Sequence, residues 1–173
     1  MVRRCLWQSK RFGMLASDSA RYLFFYFLTC PHQNSIGCFR LPPHYALSDL
    51  ALNGANWDLG TLASGIAELE EAELILSDAG TGEILICGWW RDNGPTNDSW
   101  FKGALRQCGN IQSSRLRDAA LDALRASYEA SCPEQDPPHP SGTNGASGDG
   151  VSSKEKIEAL LKRMGKHSPR WTT

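Results

Sequence analysis

Two hydrophobic periods alternate along the first half of the chain. Ala20, Leu23, Phe24, Phe27 and Leu28 fall at i, i+3, i+4, i+7 and i+8, the stripe of an amphipathic helix. Ser17 or Asp18 is placed to cap it, and Cys30-Pro31 ends it, because proline lacks the N–H that a continuing helix needs. Residues 37–41 alternate instead, with Phe39 and Leu41 on one face and Cys38 and Arg40 on the other, as in a half-buried strand. Pro42-Pro43 then seats a second helix at its first turn, running to about Leu52 through Tyr45, Ala46 and Leu50. Residues 53–56 have turn composition. A third helix starts after the cap Asp58 and carries Leu59, Leu62, Ile66 and Leu69 on one face. Strands at 74–77 and 84–89 flank a turn at 78–83, in which Gly80 and Gly82 supply the positive backbone angles of a hairpin connection.

The order helix, strand, helix, turn, helix, hairpin predicts a winged helix-turn-helix, mainly α with a small β-hairpin wing. Additional C-terminal helices are expected at 98–108, through Trp100, Phe101, Ala104 and Leu105, and at 114–130, through Leu116, Ala120, Leu124 and Tyr128. Residues 131–153 hold four prolines and four glycines among Ser, Asp and Asn. Such a stretch cannot bury enough apolar surface to order itself, and reads as a flexible linker. Beyond it, Ser152 and Glu155 fit a capping box and Ile157, Leu160, Leu161 and Met164 form a short amphipathic stripe. The predicted organisation is a winged-helix domain with a basic N-terminal arm at 1–92, a helical extension packed on it at 93–130, the linker at 131–153 and a flexible tail with a short helix at 154–173. A stripe of two turns is too short to be stable alone, so its four residues are candidates for docking into a partner's groove.

With 173 residues, the chain suits one domain of about 100 to 150 residues plus appendages. Its longest strongly apolar run, residues 22–28, is about a third of the roughly 20 residues that span a bilayer. No membrane partner is expected, and with no export signal the expected location is the cytoplasm. The six cysteines are scattered without a CxxC pair and read as reduced thiols. Cys30-Pro31-His32 with Cys38 and His44 lacks the tight ligand pairs of a structural zinc site, so neither metal nor cofactor is expected. Net charge is −1, but its distribution is uneven. Up to Arg40 there are six basic residues against Asp18; from 41 to 90 there are eight acids and no Lys or Arg.

Several motifs carry a family likeness: Leu6-Trp7-Gln8-Ser9-Lys10-Arg11-Phe12, residues 21–28 with Thr29-Cys30-Pro31-His32, Gly37-Cys38-Phe39-Arg40-Leu41-Pro42-Pro43, and Trp89-Trp90-Arg91-Asp92-Asn93 before Pro95. Together these resemble the N-terminal domains of phage and prophage replication-initiation, or replisome-organiser, proteins, over roughly residues 6–105. Residues 59–75 are similar to the recognition helix and first wing strand of bacterial winged-helix proteins. The resemblance implies a role in replication inside a bacterial host: binding of double-stranded DNA at an origin, and contact with the replicative helicase or its loader.

A helix entering the major groove needs groups that reach base edges and cations that neutralise phosphates. Gly60, Thr61 and Ser64 supply the first on the third helix, where glycine permits close backbone approach. The second must come from Arg3, Arg4, Lys10, Arg11, Arg21, Arg40 and Arg91. Opposing them are Glu68 and Glu71 on the same helix face, and Asp78 and Glu83 in a wing without a base. The alternatives are a winged-helix protein–protein adaptor and a transcriptional repressor. No enzyme is expected. There is no G-x-x-x-x-G-K-[ST] phosphate loop, Gly80-Thr81-Gly82 lacks the third glycine of a dinucleotide site, and each His reads as a solvated residue away from any nucleophile elbow. Glu68, Glu70, Glu71 and Glu73 point several ways and read as a solvated face.

Overall fold

A computed structural model describes residues 4–52 and 56–131, the side chains of 4 and 5 excepted. Arg3, the turn at 53–55, the linker and the tail stripe Ile157, Leu160, Leu161 and Met164 lie outside the described residues.

The described chain is mainly helical with one small antiparallel sheet. After a 3-10 turn at Arg4–Gln8, the elements run α1 (Lys10–Gly13), α2 (Asp18–Thr29), β1 (Cys38–Arg40), α3 (Pro43–Ala51), α4 (Leu59–Glu71), β2 (Ile75–Asp78), β3 (Glu83–Ile86), α5 (Trp89–Asn93), α6 (Asp98–Gly109) and α7 (Ser114–Ser131). Local chemistry sets these boundaries. Ser17 caps α2 by accepting from the Ala20 N–H, and Asp58 caps α4 by accepting from the Thr61 N–H. The stripe of α2 is buried at Ala20, Leu23, Phe24 and Phe27, and that of α4 at Leu62, Gly65 and Leu69. The two helices pack closely because Gly65 has no side chain: a Cβ there would lie 3.0 Å from Leu23 Cδ2.

Helix α4 ends in a Schellman turn, with the Leu74 N–H bonded to the Leu69 carbonyl and the Glu73 N–H to that of Glu70. The left-handed position of such a turn usually holds glycine; here Glu73 occupies it at φ 52°. The strand order β1-β3-β2 places the later hairpin strand β3 in the middle, pairing Phe39 with Ile84 and Ile75 with Ile86. One face of this sheet, Phe39, Ile75, Ile84 and Ile86, shares a core with α2, α3 and α4.

The other face is also covered, which the alternation in residues 37–41 does not predict. Cys38 is buried beside Phe39, and all four residues of β3 are buried, because α7 packs over the side that carries Cys38, Glu83 and Leu85. The expected second strand is also shorter. It stops at Ile86, Gly88 turns the chain at φ 74°, and Trp89 and Trp90 begin α5 instead of continuing the strand. Trp90 is buried and donates its indole N–H to the Ala120 carbonyl, while the half-buried Trp89 donates to the Ser35 carbonyl. In the hairpin turn Gly82 has a positive φ and Gly80 does not, so one glycine suffices. Among the described residues no helix is long and apolar enough to cross a membrane.

Candidate nucleic-acid interface

The solvent face of α4 is built from small residues. Gly60, Ala63, Ser64, Ala67 and Glu71 are exposed, and Thr61 is half-buried. Both the backbone N–H and the side chain of Thr61 bond to Asp58 and hold its carboxyl below the usual carboxylate range. Thr61 therefore serves the helix cap, and Ser64 is the hydroxyl left facing outward.

The acids of this region stay at the surface, Glu71 and Glu73 exposed and Glu68 and Glu70 half-buried, but three of the four also have partners in the fold. Glu68 accepts from the Ala16 N–H at 2.5 Å, the Ser17 N–H at 2.9 Å and the Ser17 hydroxyl at 2.5 Å. Those bonds, the Ser17 hydroxyl first, lower its pKa. Glu70 accepts from the Ser77 N–H at 2.7 Å and its hydroxyl at 3.0 Å. Glu73 pairs with Arg11 at 2.9 Å. These three carboxylates are each directed to a donor from another element, while Glu71 is exposed.

The hairpin acids are likewise withdrawn. Glu83 is 7 % exposed, and its carboxylate accepts from the Gln112 N–H at 3.0 Å and the Ser113 N–H at 2.8 Å, just ahead of α7. Asp78 accepts from the Ser113 hydroxyl at 2.5 Å and from the Gly80 N–H at 2.9 Å, which lowers its pKa. Two arginines meanwhile flank the hairpin. Arg40 donates its Nε–H to the Thr81 carbonyl at 3.2 Å, and Arg115 donates to the Ser77 carbonyl. Both are exposed. Nothing local in the sequence marks Arg115; it reaches the hairpin only because α7 packs on the sheet.

The remaining cations sit elsewhere. Arg21 donates to the Leu15 carbonyl and pairs with Asp18 at 2.8 Å, at the start of α2. Lys10, Arg11 and Arg91 surround one cavity together with Glu73. From Ser64 to Glu73 the chain spans nine residues, or about 13 Å at the rise of a helix, so these three cations gather beyond the opposite end of α4 from Gly60 and Thr61. Of Arg4 the backbone position alone is described.

His32 is not simply solvated. Its Nε2 lies 3.2 Å from Asp49 Oδ2, which also accepts from the Tyr26 hydroxyl at 2.7 Å, and its ring stacks on Tyr45. The group ties the end of α2 to α3. Burial first, then the hydrogen bond to Asp49, pushes the Tyr26 pKa upward. Nearby Cys30 is buried and its pKa is raised chiefly by that burial; a thiol held protonated is a poor nucleophile. Cys38 and Cys108 are free thiols pushed up to about 12 and about 11 by the same cause. Among the described residues, no three His, Cys, Asp or Glu side chains converge as metal ligands.

Comparison with family models, with curated proteins and with solved structures finds no match to this chain.

Proposed function

We propose that the chain is a winged-helix DNA-binding protein, an accessory or initiator of phage-type replication, with α4 as its reading helix and the β2–β3 hairpin as its wing. The observation that carries this reading is the exchange of charge at the hairpin. Its two acids are bound to the start of α7, while Arg40 and Arg115 stand at its surface. The sequence alone describes an acidic wing; the folded wing offers guanidinium groups, which suit phosphate oxygens. Glu68 and Glu70 are similarly drawn away from the outer face of α4. What remains there is Glu71 at its C-terminal end and, along the rest, Gly60, Ala63, Ser64 and Ala67, small enough for the helix backbone to approach a groove, with the Ser64 hydroxyl available to a base edge or phosphate.

A salt titration against double-stranded DNA tests the proposal. Neutralised phosphates release counterions, so log K falls with log salt with a slope of about −0.9 per contact. Arg40→Ala and Arg115→Ala should each flatten that slope by about 1 and weaken all sequences alike, whereas Ser64→Ala should change sequence preference. Absence of binding at about 50 mM salt, where counterion release favours association, would refute it.

A protein–protein adaptor is the second reading. It is favoured by Leu52 and Leu59, 84 % and 63 % exposed on the two sides of the α3–α4 connection, where a DNA reader gains nothing from aliphatic surface. The same titration separates the two.

A further inference from the structure

We propose that the cavity between α1, α2 and α5 is a docking site for an acidic peptide segment of a partner protein that inserts an apolar side chain. This inference stands whether or not α4 reads DNA. The cavity measures about 630 Å³, enough for one or two large side chains. Leu6, Phe24, Leu28, Leu74, Ile86 and Trp89 supply its apolar lining beside as much polar surface, and the cations Lys10, Arg11 and Arg91 outnumber the acids Glu73 and Asp92 there.

One of these arginines is held in place. Arg11 donates to the Glu73 carbonyl at 3.2 Å and meets the Glu73 carboxylate at 2.9 Å. Glu73 is the non-glycine residue at positive φ in the turn that ends α4, a strained backbone setting for a side chain that then fixes a guanidinium at the cavity. The Arg11 and Arg91 side chains remain 55 % and 77 % exposed, so their N–H groups are open to a second carboxylate.

Apolar surface continues past the cavity. Trp7, next to Leu6, is 71 % exposed and rests edge-on against Phe12 with ring centres 5.5 Å apart. An exposed tryptophan beside a half-apolar hollow whose charged residues are mostly cations extends further than a small molecule would cover, and matches the aromatic-and-arginine composition of protein interfaces. A nucleic-acid strand fits less well. It carries a charge at every nucleotide and would meet Glu73 and Asp92 in the same lining, whereas a peptide can place its acids only opposite the cations.

Fluorescence anisotropy with the full chain tests the assignment. The probe is a labelled peptide of about ten residues, with a central Leu-Phe pair flanked by Asp and Glu at about three positions and by Ser and Gly elsewhere. It should bind, bind about tenfold more weakly when the pair is replaced by two serines, and lose about tenfold in the Lys10→Glu/Arg91→Glu variant, whose exposed positions leave the fold intact. Failure of the probe to bind, equal binding of a Lys-for-acid version, or unchanged affinity in the double variant would overturn the proposal. So would tighter binding of labelled oligothymidylate that the same double variant abolishes, since the cations would then belong to a nucleic-acid site.

Discussion

Replacing Glu83 by alanine strips the acceptor from two N–H groups that lie 29 and 30 residues further along the chain. The Ser113 N–H is buried and has no water to turn to; the Gln112 N–H is at an exposed residue and rehydrates. A buried donor left unsatisfied costs about 1 to 3 kcal/mol, and a hydrogen bond to a charged group is worth about 1.5 to 3 kcal/mol. The helix N-terminus adds about 0.5 kcal/mol of favourable interaction with a nearby carboxylate. Relief from burying the charge offsets part of this, so the expected net loss is about 2 to 3 kcal/mol. For a folded unit of this size that corresponds to a fall in Tm of about 8 to 12 °C. Glu83→Gln keeps one acceptor oxygen but sets an NH2 group against the second donor, and should lose about half as much. Thermal unfolding followed by circular dichroism, with urea denaturation for the free energy, measures both. A loss below about 0.5 kcal/mol for Glu83→Ala, the range of ordinary surface changes, would refute the view that this carboxylate joins α7 to the sheet.

Other outcomes follow from the same contacts. Asp58, Glu68 and Asp78 have pKa values lowered below their ordinary 3.8, 4.5 and 3.8 by bonds from Thr61, Ser17 and Ser113. A depressed folded-state pKa gives stability that is present above the ordinary value and lost as pH falls through the folded one. The urea midpoint should therefore drop as pH falls below about 4.5, and Glu68→Gln with Asp78→Asn should flatten that drop. Gly37 has φ 67°, and a Cβ there would sit 2.4 Å from Trp89 Cγ. Gly37→Ala should cost about 2 to 4 kcal/mol from backbone strain and overpacking, read by urea titration of tryptophan fluorescence; an unchanged midpoint would contradict that packing. In DNA binding, Arg115→Ala should match Arg40→Ala in its effect on the salt slope. A null effect of Arg115 with a full effect of Arg40 would remove α7 from the interface.

The elements were legible because their signals are local. The stripe Ala20, Leu23, Phe24 and Phe27, the caps Ser17 and Asp58 and the break at Cys30-Pro31 each lie within a few residues of what they control, and helix geometry turns that spacing into a buried face. The end of β3 was not legible, because Trp89 and Trp90 fit a strand by type; their indole bonds to Ser35 and Ala120 are made across the fold. Of the candidate site, the small outer face at Gly60 and Ser64 could be read directly, as could the basic character of residues 1–40. The fate of each charge could not. Glu68 finds Ser17 at a separation of 51 residues, Glu83 finds Ser113 at 30, and Arg115 finds Ser77 at 38. The sequence by itself thus determined the five longer helices and the hairpin, since burial periodicity is a property of neighbouring residues; the short α1 and α5, the covering of the sheet's second face and the exposure of Leu59 were not in it. Only the tertiary structure decided which acids are tied to donors and which arginines stand beside the hairpin, because a charged side chain is directed by the donor or acceptor that packing brings within about 3 Å of it, and that partner is remote in the chain.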